Sequence, residues 1–182
     1  MKSSTLIALM TIVILSSCRK PTNPNSHFAD GFCLTSGCAC EEGYTGDECD
    51  LVLTPTAIHI ESIEITSLPT FDNGESWDPY EGSPDVTFTL RHMHEEVYAS
   101  DKTYEDAETD HRLLFDDLNI TLDGVKDEYK LRILDLDPED KSQEIIKDLY
   151  FTPYGDDQLV PDVIHVSEGS AQVDIHVTYV YE

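Results

Sequence analysis

Four aspartates stand where a divalent cation would need them. Asp72 and Asp78 lie at the ends of a Gly-containing loop within Leu68–Tyr80, after a strand-like run. Far downstream, Asp135 and Asp137 lie in a second acidic stretch, Leu134–Asp140. Side chains alternate faces along a strand, so Asp135 and Asp137 project to the same side. Four carboxylates on two facing loops repel one another unless a cation sits between them. Ca²⁺ suits such a site, since it takes about 6–8 oxygen ligands, carboxylates prominent among them. Asp140 or Glu144 is a further oxygen donor in this reading, and backbone carbonyls near Phe71 and Leu136 add more. The competing reading is a set of solvated turn aspartates, because Asp hydrogen-bonds its own backbone in turns.

The elements that must hold these loops are strands. Val86, Phe88 and Leu90 alternate with polar or small neighbours, as do Ile120 and Leu122, and Leu131 and Ile133. Val173, Ile175, Val177, Tyr179 and Tyr181 form the clearest period-two row, opposite Asp174, His176 and Thr178. Within Ala57–Leu68, Ile58 and Ile60 share one parity and Ile63 and Ile65 the other; a bulge near Glu61–Ser62 puts all four on one face. Short strands separated by Gly, Pro and Asp turns predict a mainly β fold, an antiparallel β-sandwich. Asp101–Asp110 reads as an acidic loop. His92 and His94 fall on one strand face, and a zinc site there would need a third ligand such as His111.

Leu68–Tyr80, with its Leu-Pro, Asp, Gly and Asp-Pro-Tyr in order, resembles the first calcium loop of the C2 domain. Ile133–Asp137, a hydrophobic strand closing on Asp-x-Asp, resembles the third loop, and Glu144-Ile-Ile is similar to the Asp-Ile-Ile after it. The resemblance spans roughly Ile58 to Tyr181. It implies a calcium-dependent phospholipid-binding sandwich with Asp72, Asp78, Asp135 and Asp137 as ligands. The last aspartate of the family's loop is not matched: Gln143 stands at its spacing and Glu144 one further on, which bears on a second ion more than on the first. One strand precedes the first loop and an extra amphipathic strand, Ala171–Tyr181, closes the sheet, so the order is similar to the one-strand-first permutation of the family. In lipid-binding relatives apolar loop tips such as Phe71 and Trp77 enter membrane, but packing of Trp77 back onto its own sheet is the favoured reading. The basic stripe by which many relatives hold acidic lipid is absent.

The N-terminal part has its own organisation. Residues 1–17 read as an export signal: Lys2, the apolar Leu6–Leu15, then small residues before Cys18. Leu15-Ser-Ser-Cys18 resembles the lipobox of bacterial lipoproteins, which implies cleavage before Cys18 and a membrane anchor of more than one chain on that residue. Each buried CH₂ of such chains adds roughly 0.8 kcal/mol. By the same likeness, Arg19 rather than Asp favours an outer-membrane or surface address. Residues 18–29, with Pro21, Pro24, Asn23, Asn25 and Ser26, form a flexible tether. Residues 30–50 hold Cys33, Cys38, Cys40 and Cys49, an even set that reads as disulfides in an exported chain. The close spacing of Cys38 and Cys40 argues against a zinc cluster. Gly43 and Gly46 suit turn conformations closed to other residues. Cys38-Ala-Cys-Glu-Glu-Gly-Tyr-Thr-Gly-Asp-Glu-Cys49 resembles the C-terminal half of an EGF-like module, truncated by two cysteines. Four cysteines allow three pairings; the resemblance prefers Cys40 with Cys49, leaving Cys33 for Cys38. Residues 51–182 are the sandwich.

Lys and Arg total 11 and Asp and Glu 37 among 182 residues, a net charge of −26. That charge repels phosphate backbones and excludes nucleic acid as a partner. No Ser-His-Asp context, Gly-rich phosphate loop or HExxH motif is present, so an enzyme is not expected. The expectation is a lipid-anchored, calcium-stabilised binding or adhesion module for a protein, glycan or lipid surface. The alternative is a metal-free structural or accessory subunit of a cell-envelope complex.

Overall fold

The structure is a computed structural model that describes residues 32–34, 37–40, 42–46, 49–70, 83–136, 142–155 and 160–181. The chain divides into two compact units between Leu53 and Thr54. In the first, β1 (Phe32–Leu34) and β2 (Gly37–Ala39) pair antiparallel, with Cys33 directly opposite Cys38. β3 (Tyr44–Thr45) pairs with β4 (Leu51–Val52), and Leu53 N–H donates to the Gly43 carbonyl at 2.8 Å. These bonds carry the small unit a few residues past Asp50, so Leu51 and Val52 are part of it and not of the sandwich. Cys40 is disulfide-bonded to Cys49, with Cα atoms 5.3 Å apart. Gly43 and Gly46 take φ of 86° and 94°, the left-handed turns expected of them. At Gly46 a side chain would also crowd those of Asp50 and Leu51, 3.0 and 3.2 Å from where its Cβ would lie.

The second unit is an antiparallel β-sandwich of two sheets, with no helix among the described residues. One sheet runs β11 (Gln143–Phe151), β10 (Tyr129–Leu136), β6 (Val86–His92), β7 (Glu95–Ala99). The other runs β12 (Val163–Glu168), β13 (Ala171–Val180), β5 (Ala57–Ser67), β8 (Leu113–Phe115), with β9 (Ile120–Leu122) also paired to β5. The closing strand β13 therefore lies beside β5, the one strand of the unit that precedes the first acidic loop.

Alternation explains the core. Val86, Phe88, Leu90, Leu131 and Ile133 point inward from one sheet; Val173, Ile175, Val177 and Tyr179 point inward from the other. On β5 the register steps past Glu61, so that Ile60 faces Val177 and Ile63 faces Ile175. The extra residue turns both halves of the strand the same way, and Ile58, Ile60, Ile63 and Ile65 are all buried. The sheets meet through rings: Phe88 stands edge-on to Phe115 at 4.9 Å and stacks on Tyr98 at 5.7 Å. Each fully buried side chain of this size contributes about 1.5–3 kcal/mol.

One expectation is corrected at the β6–β7 hairpin. His94 does not share a strand face with His92, because the strand stops at His92 and Met93-His94 form a two-residue turn. Met93 takes a left-handed φ of 54° there and is exposed.

Candidate functional site

β6 and β10 run antiparallel with Val86 opposite Asp135. The segment entering β6 and the segment leaving β10 therefore emerge at the same end of the sandwich. Asp85 joins them. Its N–H donates to Asp135 Oδ1 at 2.7 Å, and its carbonyl accepts from Leu136 N–H at 2.9 Å. Asp85 also holds the acidic loop between β7 and β8, its Oδ1 accepting from Asp106 N–H at 2.8 Å. Four more backbone bonds bind that loop to the same end: Ala107 N–H to the Pro84 carbonyl, Val86 and Tyr104 to each other, and Leu68 N–H to the Thr109 carbonyl. Three chain segments rich in carboxylates are thus anchored together at their stems.

Asp135 is only 3% exposed and continues the inward row of Leu131 and Ile133. Burial of a carboxylate is costly unless it is hydrogen-bonded or paired with a cation. The Asp85 N–H meets part of that requirement. Glu144 is exposed and stands directly opposite Asp135 on β11. The two residues are register partners across the β10–β11 pair. Asp72, Asp78, Asp137 and Asp140 lie outside the described residues, as do Phe71, Trp77 and the lipidation position Cys18.

Asp85 and the Glu108–His111 group are features that the sequence reading missed. Ligand atoms of Glu108, Asp110 and His111 lie within 4.8 Å of one another, all three exposed. His111 Nδ1 is 2.8 Å from Glu108 Oε2 and 3.2 Å from Asp110 Oδ1. The density of acid in Asp101–Asp110 was the available signal. His92 and His111, which a zinc site would have to join, lie apart. His92 is at the hairpin end of β6, with Nε2 3.0 Å from Asp127 Oδ2 and its ring stacked on Tyr129. His111 is two residues before Leu113, which pairs with Ile65 at the opposite end.

No family model matches the chain, and no curated protein does. One solved structure similar to it is a C2 domain. It comes from plant extended synaptotagmin 1, at 11% sequence identity and a TM-score of 0.40, covering 70% of this chain and 97% of that chain.

Away from the loop end, the outer face of the β10–β11 pair carries a well-formed ion pair. Arg132 grips Asp148 with two parallel bonds, Nε to Oδ1 at 2.7 Å and Nη2 to Oδ2 at 2.8 Å, and Lys130 adds a contact at 3.4 Å. Hydrogen bonding from Arg132 holds the Asp148 carboxyl below the usual aspartate range, against the opposing effect of burial.

Proposed function

We propose that the chain is a membrane-anchored exported lipoprotein whose sandwich serves as a calcium-stabilised binding module, with ligands drawn from the first and third acidic loops. The observation that carries the reading is the Asp85–Asp135 bond, because it fastens the stems of both loops to one end of the sandwich. Asp72 and Asp78 enter from the first loop, and Asp135, Asp137, Asp140 and Glu144 from the third. With the ion absent the like charges of these side chains repel one another; a bound cation would offset that repulsion. An ion that binds only the folded state stabilises it by about 2.7 kcal/mol at a hundredfold excess over Kd. Extracellular modules bind Ca²⁺ at about 10⁻⁴–10⁻³ M, so occupancy would be constitutive in calcium-rich surroundings. Titration calorimetry and thermal melting in millimolar Ca²⁺ against chelator test the reading. Heat of binding and a raised Tm support it; identical melting and no heat reject it.

The burial of Asp135 favours a second reading, in which the sandwich is a metal-free structural subunit. There the carboxylate acts as a structural acceptor, with Asp85 N–H among its partners, and the remaining loop acids face solvent. Removing calcium would then leave Tm unchanged.

A further inference from the structure

A cleft of about 340 Å³ opens on the side of the sandwich where the two sheets part. One wall comes from Tyr98 on β7 and from Ser100–Lys102 beyond it; the other comes from Phe115 on β8 and from Asp116–Asn119. Phe115 is buried and Tyr98 and Leu118 half-buried, so the floor is apolar. The exposed rim carries three carboxylates, Asp101, Asp116 and Asp117, against the single cation Lys102.

Lys102 shows what this environment accepts. Its ammonium donates to the Leu114 carbonyl at 2.7 Å, lies 3.5 Å from Asp116 Oδ1, and stands 4.7 Å from the centre of the Tyr104 ring and 5.9 Å from that of Phe115. Carbonyl, carboxylate and ring faces together make a seat for a positive charge. Hydrogen bonding to Tyr104, with a smaller attraction from Asp116, raises the Lys102 pKa. Burial, and then the negative charge of Asp101, raises the Tyr98 pKa as well. Among the described residues, Lys102 is the one cation ion-paired in the cleft, and its partner is Asp116. Asp101 and Asp117 stay at the rim.

We infer that this cleft receives a basic side chain, an arginine or lysine, from a partner protein. The stem of that side chain lies along Tyr98, Phe115 and Leu118, and its charge sits between Asp101 and Asp117, alongside Lys102. Amphipathic basic side chains are made for such a place, since they cover apolar surface with methylenes and keep the charged head near water. None of the proposed calcium ligands lines the cleft.

The test is a titration of the isotope-labelled full chain with Nα-acetyl-arginine amide, followed by amide NMR in calcium and in chelator. Saturable shifts at Tyr98, Asp101 and Asp116–Asn119, the same in both buffers, are expected. Asp117→Asn together with Asp101→Asn should weaken binding about fivefold to tenfold, as two exposed ion pairs would. Asn also tolerates the left-handed φ of 56° at position 117. The charge-matched pair Asp123→Asn with Asp162→Asn should leave binding unchanged. Shifts that follow general negative charge, with both double variants weakened alike, would overturn the proposal. So would cleft shifts produced by methyl glucoside and not by the arginine probe, which would make it a sugar site.

Discussion

Asp85 N–H lies 2.7 Å from Asp135 Oδ1, and this bond couples two residues that are 50 positions apart in the chain. It gives the buried carboxylate a structural duty whether or not an ion is bound. The structural duty and the proposed metal-binding duty respond differently to substitution.

Asp135→Asn keeps an oxygen acceptor for Asp85 N–H and removes the charge. Its melting temperature in chelator should fall little, while the calcium-dependent rise in Tm should disappear. Asp135→Ala strips the acceptor from a part-buried N–H, which costs about 1 kcal/mol in either buffer. Paired melting curves separate the two. Equal calcium responses in wild type and Asp135→Asn would remove Asp135 from the ligand set.

Asp85→Ala releases the loop between β7 and β8 from its side-chain anchor at Asp106 N–H. The expected loss is about 1 kcal/mol, and the Asp106 amide should exchange faster. Hydrogen exchange resolved by residue checks this. Unchanged protection at Asp106 would mean that the remaining backbone bonds suffice.

Stability should carry a signature of the Arg132–Asp148 pair in acid. The folded-state pKa of Asp148 is depressed, so its stabilisation is complete above the ordinary aspartate value near 4 and is lost as pH falls through the lower folded value. Asp148→Asn should remove that part of the acid dependence and leave the curve above pH 5 parallel to wild type. Denaturant midpoints measured from about pH 2 to pH 6 would show it.

Phe115→Ala removes the ring that meets Phe88 and Tyr104 between the sheets. Such truncations cost about 3–5 kcal/mol. Chemical denaturation gives the value. A loss below about 1 kcal/mol, far under that range, would indicate that the sheets are held together elsewhere.

The inward rows of β6, β10 and β13 were legible because a half-buried strand repeats every two residues. The break in parity at Ile60–Ile63 likewise revealed the bulge at Glu61. The convergence of the loop stems was foreshadowed by two acidic runs, each at the end of an apolar row. The part played by Asp85 was not legible. It works through its backbone N–H and a partner fifty residues away, and no local pattern records such a bond. The Met93-His94 turn was hidden for a related reason: a left-handed methionine has none of the Gly or Asn composition that usually marks a hairpin. The outer strands β7 and β11 alternate poorly because they carry exposed apolar residues, Val97 on the first and Ile145 and Tyr150 on the second.

The place of β13 between β12 and β5 has a consequence for biogenesis. Its partners on β5 are made long before it; Thr66 and Gln172, linked across the pair, are 106 residues apart. At roughly 5–20 residues per second, a ribosome takes roughly 5–20 s to cover that distance. During that interval β5 has no neighbour on its β13 side. This sheet therefore cannot be completed while its middle is still being synthesised, and its high contact order makes folding slow. The four-stranded sheet needs nothing beyond Phe151, so it can pair first and the sheet of β5 closes last, when β13 emerges.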